Sequence, residues 1–410
     1  MLTELSDEIR DTPEGQTADR ILRNCVHCGF CLATCPTYRL LGDELDSPRG
    51  RIYLIKSVLE GKPVSAETRL HLDRCLTCRA CETTCPSGVE YGRLLEIGRE
   101  AVERETTRPW YERWQRQLLL KVLPYRSRFT PLLRCAQCLR PLLPPLLKRQ
   151  IPPRRKAAAV TTWHRHQRRI IMFQGCVQPA LAPTINAAAG QIFDSAGVGC
   201  CQEPSEGCCG ALSLHLGANA SACEFARRNI DAWWPWIEAG AEAIIVTASG
   251  CGVMIKDYPN LLANDPDYRD KAARVAELAR DPAEFLAALP PARLPSVRGR
   301  VAFQSPCTLQ HGQKLAGVTE SLLARLGFEL TPVPEAHQCC GSAGTYSILQ
   351  PAMAAAVRDK KLQTLIRGDP EQILTANIGC LLHLQQATHL PVNHWLEAVA
   401  ASAATPVRDA

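Results

Sequence analysis

The sequence predicts an α+β multidomain protein, in which a helical N-terminal domain is followed by two copies of an α/β domain. Three observations lead to this fold class. A cysteine motif in the first hundred residues recurs after a shift of 50 residues, and a second set of cysteines recurs about 130 residues apart in the C-terminal half. Short apolar runs alternate with helical patterns in that half, as is typical of a parallel sheet.

The N-terminal domain contains two copies of the motif C-x2-C-x2-C-x3-C-P, which begin at Cys25 and Cys75. In bacterial ferredoxins this spacing lets three close thiolates hold one [4Fe–4S] cluster, while the fourth thiolate ligates the other cluster. The motifs therefore predict two [4Fe–4S] clusters with crossed ligands. One set is Cys25, Cys28, Cys31 and Cys85, and the other is Cys75, Cys78, Cys81 and Cys35.

A pair of structural zinc sites is the alternative interpretation of these motifs. Structural zinc usually takes two spaced pairs of ligands, whereas here four cysteines lie in an eleven-residue run that is followed by proline. Between the motifs, residues 47–61 have apolar side chains at helical spacing and a glycine where a helix would end. We therefore expect a helical ferredoxin-like domain over residues 1–105, with clusters rather than zinc.

The second repeat consists of a single cysteine, a Cys-Cys-Gly sequence and another single cysteine. The pair follows the first single cysteine by 32 residues in both copies, which indicates two homologous domains, predicted at 169–295 (copy one) and 296–410 (copy two). The repeated cysteines are Cys176, Cys208, Cys209 and Cys251 in copy one, and Cys307, Cys339, Cys340 and Cys380 in copy two.

Each single cysteine of this repeat comes shortly after an apolar run that reads as a buried strand, at 169–173, 243–247, 300–303 and 372–376. Open α/β sheets build their binding sites beyond the carboxyl ends of their strands. We therefore expect the repeated cysteines to bind a cofactor or to act in redox chemistry. Packing as small core residues is the alternative, and it suits Cys223, but two adjacent cysteines cannot easily face one core.

Composition and sequence patterns indicate the compartment of the protein and the state of its thiols. The chain has 21 cysteines, a polar and acidic start that does not read as a signal peptide, and no run of eighteen apolar residues. These features predict a soluble, cytoplasmic protein with reduced, metal-binding thiols. No G-x-G-x-x-G or Walker-type loop accompanies a strand, so we expect no nucleotide or flavin on this chain.

The stretch from Arg108 to Arg169 is strongly basic, with sixteen Lys and Arg and a single acid, Glu112. Residues 106–168 are predicted to be a linker rich in proline and leucine, in which the prolines leave only short amphipathic pieces. Such a charge favours an anionic membrane surface or an acidic subunit as its partner. Nucleic acid is not expected, because few aromatic residues lie between the basic ones.

The doubled motif followed by two Cys-Cys-Gly domains resembles the iron–sulfur subunits of glycolate oxidase, anaerobic glycerol-3-phosphate dehydrogenase and the heterodisulfide reductases. The layout is most similar to the glycolate oxidase iron–sulfur subunits. In one respect it departs from the reductases, which close each repeat with C-x2-C and hold a non-cubane cluster. Here Ala248 and Asn377 stand at the first of those two positions, so four thiolates per copy remain. A conventional further cluster, or none, is then expected in these domains.

This resemblance implies an electron-transfer subunit of a membrane-associated glycolate oxidase. A separate flavin subunit would carry FAD and oxidise glycolate to glyoxylate, and membrane quinone would be the acceptor. The chain would then lie on the cytoplasmic face of the inner membrane. Two alternatives stay open: the same role in glycerol-3-phosphate or lactate oxidation, and a thiol–disulfide enzyme.

Several residues near these motifs receive no assigned role from the sequence. His27, His311 and His337 lie near the cysteines and are interpreted as polar surroundings rather than proton donors. The lone C-x-x-C at Cys135 and Cys138 supplies too few ligands for a zinc site. The roles of Cys200 and Cys201 are left open.

Overall fold

The first hundred residues fold into helices that are arranged around the two cysteine motifs. The computed structural model describes residues 2–144, 148, 151–155, 162, 164–290 and 294–403. A 3-10 turn at Glu44–Asp46 interrupts the helices of this region, which are α1 Asp7–Arg10, α2 Pro13–Asn24, α3 Phe30–Thr34, α4 Pro36–Leu41, α5 Pro48–Leu59, α6 Ala66–Asp73, α7 Ala80–Thr83 and α8 Tyr91–Glu105.

The predicted helix between the motifs is confirmed as α5. Its start is fixed by Ser47, whose hydroxyl accepts a hydrogen bond from the backbone N–H of Gly50 at 2.9 Å, and by Pro48 in the first turn. The apolar face of α5, which includes Ile55, packs with the core residues of α8, which include Leu94. The first cysteine of each motif, Cys25 and Cys75, belongs to the same core.

The middle segment is more helical than its prolines predict. Two helices, α9 (Trp110–Val122) and α10 (Arg126–Leu139), are followed by a 3-10 turn at Arg140–Leu142. Pro124 separates the two helices as expected, but Pro131 lies inside α10. The expectation of short pieces only was therefore wrong for the described part of the segment; residues 145–147, 149–150, 156–161 and 163 lie outside it.

Each of the two repeated domains contains a four-stranded parallel sheet. The strand orders are β2-β1-β3-β4 in copy one and β6-β5-β7-β8 in copy two. The strands are β1 Arg168–Phe173, β2 Val198–Cys201, β3 Ala243–Val246, β4 Ala279–Arg280, β5 Arg300–Gln304, β6 Glu329–Leu330, β7 Gln372–Thr375 and β8 Val392–His394. The predicted α+β architecture with parallel sheets is confirmed.

Helices cover these sheets and join the two copies. In copy one they are α11 Gln178–Leu181, α12 Thr184–Ser195, α13 Ala211–His215, α14 Asn219–Glu238, α15 Ser249–Lys256, α16 Tyr258–Leu261, α17 Arg269–Leu278 and α18 Pro282–Ala287. In copy two a π-helical turn at Thr308–Gly312 is accompanied by α19 Val318–Leu326, α20 Tyr346–Leu349, α21 Pro351–Leu365, α22 Ile378–Gln385 and α23 Trp395–Ala403. Helices α12 and α23 pack together, so one continuous core includes residues of both copies.

Candidate functional site: four groups of cysteines

The two N-terminal motif loops have the same backbone conformation. In each loop the residue before the second cysteine and the residue after it have positive φ: 56° at His27 and 85° at Gly29, and 52° at Thr77 and 59° at Arg79. A short helix then begins and carries the third cysteine. The left-handed residues turn the loop back on itself, so that its thiols converge.

The structure brings the eight N-terminal cysteines into two groups. One small cavity is lined by Cys25, Cys28, Cys31 and Cys85, and also touches Cys81. A second cavity is lined by Cys35, Cys75, Cys78 and Cys81. The fourth cysteine of each motif therefore lies with the first three of the other motif, as crossed ligation requires. The donor sets consist of thiols alone, which fits iron–sulfur clusters; ligation itself stays a prediction.

A buried ionic network that the sequence analysis did not identify lies beside the second group. Arg51 is 1% exposed, and its guanidinium contacts an Asp46 carboxylate oxygen at 3.1 Å and the Cys35 sulfur at 3.9 Å. Arg74 bonds the other Asp46 oxygen at 2.9 Å. Because Asp46 already neutralises these cations, its proximity to Asp43 and His71 does not make a convincing metal site. The Arg51 guanidinium therefore places a buried positive charge beside the sulfur of Cys35.

The repeated cysteines of the C-terminal half converge in both copies. In copy two the sulfurs of Cys307 and Cys339 lie 3.8 Å apart, and those of Cys340 and Cys380 lie 3.1 Å apart. In copy one the corresponding side chains interact in the same order, which is Cys176 with Cys208, and Cys209 with Cys251. Each copy thus presents four buried or half-buried thiols beyond the carboxyl ends of its two central strands.

The glycine of each Cys-Cys-Gly sequence has a steric role. Gly210 and Gly341 have φ of 94° and 88°, a region that favours glycine. A Cβ on Gly341 would lie 2.4 Å from the carbonyl oxygen of Ala354, and one on Gly210 would lie 3.1 Å from that of Ala222. The turn therefore lets the cysteine pair approach the second helix after it, which is α14 in copy one and α21 in copy two.

Copy two lies directly against the second N-terminal group. Cys78 packs in one cluster with Cys307 and Cys339 of copy two. Burial raises the pKa of the Cys78 thiol well above its ordinary value, and Cys307 is the next largest cause. His311 joins the two domains, since its Nδ1 lies 2.9 Å from the Thr83 hydroxyl and its Nε2 lies 3.0 Å from the His337 carbonyl oxygen. The interpretation of His311 as a polar surrounding residue stays a prediction.

The two repeated sites also border a common interface. The hydroxyls of Ser249 and Thr308 lie 2.7 Å apart, and the backbone N–H of Ser249 donates to the Ala376 carbonyl oxygen at 3.2 Å. These residues are close in sequence to Cys251, Cys307 and Cys380. The segments that carry three of the single cysteines are therefore hydrogen-bonded to one another across the copies.

The remaining cysteines lie apart from these four groups. Cys135 and Cys138 are exposed on α10, where a helix does not form the ligand loop of a zinc site. Cys200 and Cys201 are buried core residues of β2. Cys223 is half-buried and its thiol donates to the Leu261 carbonyl oxygen, which agrees with the packing role expected for it.

Comparison with protein families matches both parts of the chain. Residues 21–89 match the family described as "4Fe-4S dicluster domain". Residues 170–256 and 301–385 each match the family described as "Cysteine-rich domain". The two matched segments of the second family begin close to strands β1 and β5.

Similarity to whole proteins extends over nearly the full chain. The glycolate oxidase iron–sulfur subunit of Escherichia coli K12 is 52% identical, over 97% of this chain and 98% of that protein. The probable glycolate oxidase iron–sulfur subunit of Bacillus subtilis 168 is 32% identical, over 89% and 88%. Lactate utilization protein A of Geobacillus kaustophilus is 25% identical over 53% of this chain.

A solved structure shares the fold. The crystal structure of a hypothetical protein from Helicobacter pylori superimposes with a TM-score of 0.56 at 10% identity, covering 96% of this chain and 72% of that one. At such low identity the likeness concerns the fold alone. The full-length relatives and the matched domains show that the chain belongs to the family of glycolate oxidase iron–sulfur subunits.

Proposed function

We propose that this protein is the electron-transfer subunit of a glycolate oxidase complex. Oxidation of glycolate to glyoxylate on a flavin-containing partner subunit releases two electrons and two protons, and a membrane quinone that takes up both would become a quinol. When bound, iron–sulfur clusters accept and release single electrons, which allows a subunit without substrate chemistry to connect these two reactions. The full-length relatives support this assignment.

The observation that carries the proposal is the contact between Cys78 and copy two. Cys78 belongs to the second N-terminal group, and it packs in one cluster with Cys307 and Cys339. Two sets of thiols from different domains therefore adjoin with no intervening layer of the fold. Burial of Cys339 and Cys340, each 1% exposed, excludes water from this junction. A contiguous series of sulfur sites suits electron transfer better than separate structural metal sites would.

Replacing Cys339 by Ser tests this route in the complete complex. We expect glycolate to reduce the flavin as before, while reduction of a soluble quinone analogue falls by roughly a hundredfold or more, because even changes around a metal ligand cost roughly 10–100-fold. Stopped-flow spectroscopy of the flavin and steady-state quinone reduction measure the two steps.

Cys223→Ser is the matched control, since Cys223 lies outside the four groups. Its quinone reduction should equal that of the parent complex. Equal rates for Cys339→Ser and Cys223→Ser would contradict a route through copy two. Oxidation of glycolate by the purified chain without a flavin subunit would contradict the whole assignment.

The alternatives named from the sequence find less support. The lactate utilization relative covers only about half of the chain. A thiol–disulfide enzyme would need a fifth cysteine at Ala248 or Asn377. In copy two the amide of Asn377 instead lies 3.7 Å from the Cys380 sulfur, as a hydrogen-bond donor. This arrangement favours a supported metal ligand over a reactive dithiol.

We further propose that the middle segment attaches the protein to the cytoplasmic face of the inner membrane. Trp110, Trp114 and Leu118 are spaced along one face of α9 and are 78%, 64% and 45% exposed. Exposed Arg113 and Lys121 accompany them. Aromatic and basic side chains together suit the interface of an anionic bilayer. Within the described residues, no helix is long and apolar enough to cross a membrane.

The basic charge of the middle segment is partly compensated by acidic residues of the same chain. Arg116 bonds Asp73 at 2.9 Å, Arg126 bonds Glu206 at 3.0 Å, and Arg155 bonds Glu397 at 3.3 Å. Because Arg155 is already paired, substitutions around it would disturb the fold as well as lipid binding. The exposed face of α9 is therefore the better place to test attachment.

The double variant Trp110→Ala/Trp114→Ala should lose most of its co-sedimentation with phosphatidylcholine vesicles that contain phosphatidylglycerol. Both rings are largely exposed, so iron content should not change. Tyr53→Ala, which removes an exposed aromatic ring from the N-terminal domain, is the control and should bind as the parent does. Absence of vesicle binding in the parent, or equal binding by all three proteins, would contradict attachment through α9.

A further inference from the structure

The two repeated sites have different side chains at one equivalent position of the second helix after Cys-Cys-Gly. Gly210 approaches Ala222 and Gly341 approaches Ala354, which aligns helices α14 and α21. Seven residues after these alanines come Asn229 in copy one and Lys361 in copy two. Both side chains reach back to the backbone just before or within the cysteine pair. The position is therefore shared, but its charge is not.

Lys361 is a buried cation without an acidic partner in the described part of the chain. It is 2% exposed, and its Nζ donates to the carbonyl oxygens of Ala336 at 3.0 Å and Glu335 at 3.5 Å. It lines the same small cavity as Cys339. A buried ammonium group is costly unless a negative charge lies nearby. Hydrogen bonds to two carbonyls do not supply that charge.

The cysteines of copy two are the groups that can supply it. Burial lowers the pKa of Lys361, whereas Cys340, Cys339, Cys380 and Cys307, in that order, act to raise it. Metal ligation removes the protons from such thiols. Four thiolates around iron would therefore place negative charge beside the Lys361 ammonium group.

A second difference concerns hydrogen bonding to the sulfurs. Asn377 donates its amide Nδ2 toward the Cys380 sulfur at 3.7 Å. The equivalent residue in copy one is Ala248, whose side chain has no donor. Net charge and hydrogen bonds to sulfur are among the factors that set the reduction potential of iron–sulfur clusters. Both differences act in the same direction, since each stabilises additional negative charge in copy two.

Copy one has the opposite surroundings. Asn229 is neutral and bonds the backbone of Gly207 and Cys208 at 2.8 Å each. Glu206, which is 1% exposed, lies two residues before Cys208, and its carboxylate is bonded by Arg126 and by the Trp233 ring N–H. No buried lysine of copy one corresponds to Lys361 among the described residues. Within the described residues, the position equivalent to Lys361 is therefore neutral in copy one.

We propose that Lys361 is the counterion of an anionic iron–sulfur centre held by the cysteines of copy two, and that with Asn377 it gives this centre a higher reduction potential than any centre in copy one. The inference rests on the proposed function in one respect, the binding of iron by the repeated cysteines. Lys361 is a positioning residue here: it contacts no substrate, and acts through the electrostatic potential at the ligands.

Replacing Lys361 by Met in the full-length protein, purified without oxygen, tests the proposal. Redox titration followed by paramagnetic resonance should show a lower midpoint potential for the copy-two centre, identified by its loss in Cys307→Ser. The signals of the N-terminal clusters should stay unchanged. Lys361→Arg should keep the parent potential because it keeps the charge. Asn377→Ala, which gives copy two the residue of copy one, should shift the midpoint in the same direction by a smaller amount.

Lys360→Met is the matched control, since it removes the charge of the adjacent but exposed lysine. It should leave the midpoint unchanged. Loss of iron from copy two alone in Lys361→Met, with full iron in Lys361→Arg, would also support the counterion role. An unshifted midpoint in Lys361→Met, an equal shift in Lys360→Met, or the same defect in Lys361→Arg would overturn it.

Iron analysis separates this inference from the proposed function. If the parent protein binds iron only at its N-terminal cysteines, both the counterion and the part of the route through copy two are wrong. If Cys307→Ser removes a centre that Lys361→Met leaves unshifted, only the counterion is wrong. Stable folding of each variant is checked by the N-terminal cluster signals in the same samples.

Discussion

Copy one and copy two have the same strand order but different neighbours. Copy two contacts the N-terminal domain at its cysteine site, through Cys78 and through a hydrogen bond from the Tyr346 hydroxyl to the Arg74 carbonyl oxygen at 3.1 Å. Next to the cysteine site of copy one, the middle segment makes a contact instead: Arg126 donates to the carbonyl oxygen of Gly175, the residue before Cys176, at 2.6 Å. A duplicated fold has therefore acquired two different environments, and the differences lie in side chains rather than in topology.

The helix caps after the last strand of each sheet illustrate this divergence. Asp281 follows β4 and accepts a hydrogen bond from the Ala283 N–H at 2.8 Å; His394 ends β8, and its Nδ1 accepts from the Leu396 N–H at 3.3 Å. Burial raises the pKa of Asp281 from 3.8 to about 7, and burial lowers the pKa of His394 from 6.5 to about 4. The two caps therefore have opposite pH dependence.

The largest expected effect concerns how the free energy of unfolding depends on pH. The folded state binds the Asp281 proton more tightly than the unfolded state, so this group lowers the free energy of unfolding as pH rises from about 4 to about 7. His394 binds its proton less tightly when folded, so it lowers that free energy as pH falls from about 6.5 to about 4. Each unit of pKa shift corresponds to about 1.4 kcal/mol.

Asp281→Asn should keep the cap and remove the first dependence, whereas His394→Gln should remove the second. Urea unfolding midpoints at several pH values measure both. Asp281→Asn should become relatively more stable than the parent toward neutral pH, and His394→Gln toward acid pH. The same pH profile in all three proteins would show that neither cap distinguishes the copies.

An intermediate effect on stability is expected when the buried tryptophan of each copy is replaced. Trp233 and Trp395 are both fully buried, but only the ring N–H of Trp233 has a partner among the described residues, a Glu206 carboxylate oxygen at 2.9 Å. Trp233→Phe should therefore cost about 1–3 kcal/mol more than Trp395→Phe, because it leaves a buried acceptor unpaired. Urea unfolding monitored by circular dichroism measures the difference; equal costs would contradict it.

The smallest effect is expected at the surface between copy two and the N-terminal domain. Arg39 and Glu335 form an ion pair at 2.5 Å, with 37% and 48% of their side chains exposed. Such exposed pairs contribute about 0–1 kcal/mol. Arg39→Met should thus shift the unfolding midpoint little, and less still at high salt. A loss as large as that of Trp233→Phe would mean that this contact, rather than the apolar cluster around Cys78, holds copy two in place.

The regular features of the protein could be predicted because each has a local pattern. Residue types and spacing predict the two cysteine motifs, the 131-residue step between the copies and the four central strands. The edge strands β2, β4, β6 and β8 were not predicted, since they are two to four residues long and lack such a pattern. Pro131 shows that a local signal can also mislead, because α10 continues through a residue that disfavours helix.

The sequence by itself predicted which thiols converge, because the spacing of the cysteines and its repetition can be seen in the residues, and the glycine after each cysteine pair predicts a tight turn. Only the tertiary structure decided what surrounds them. Arg51 and Lys361 look like ordinary basic residues of predicted helices, yet each is buried beside sulfur. Burial and electrostatic potential arise from segments far apart in the chain, so no spacing rule can report them.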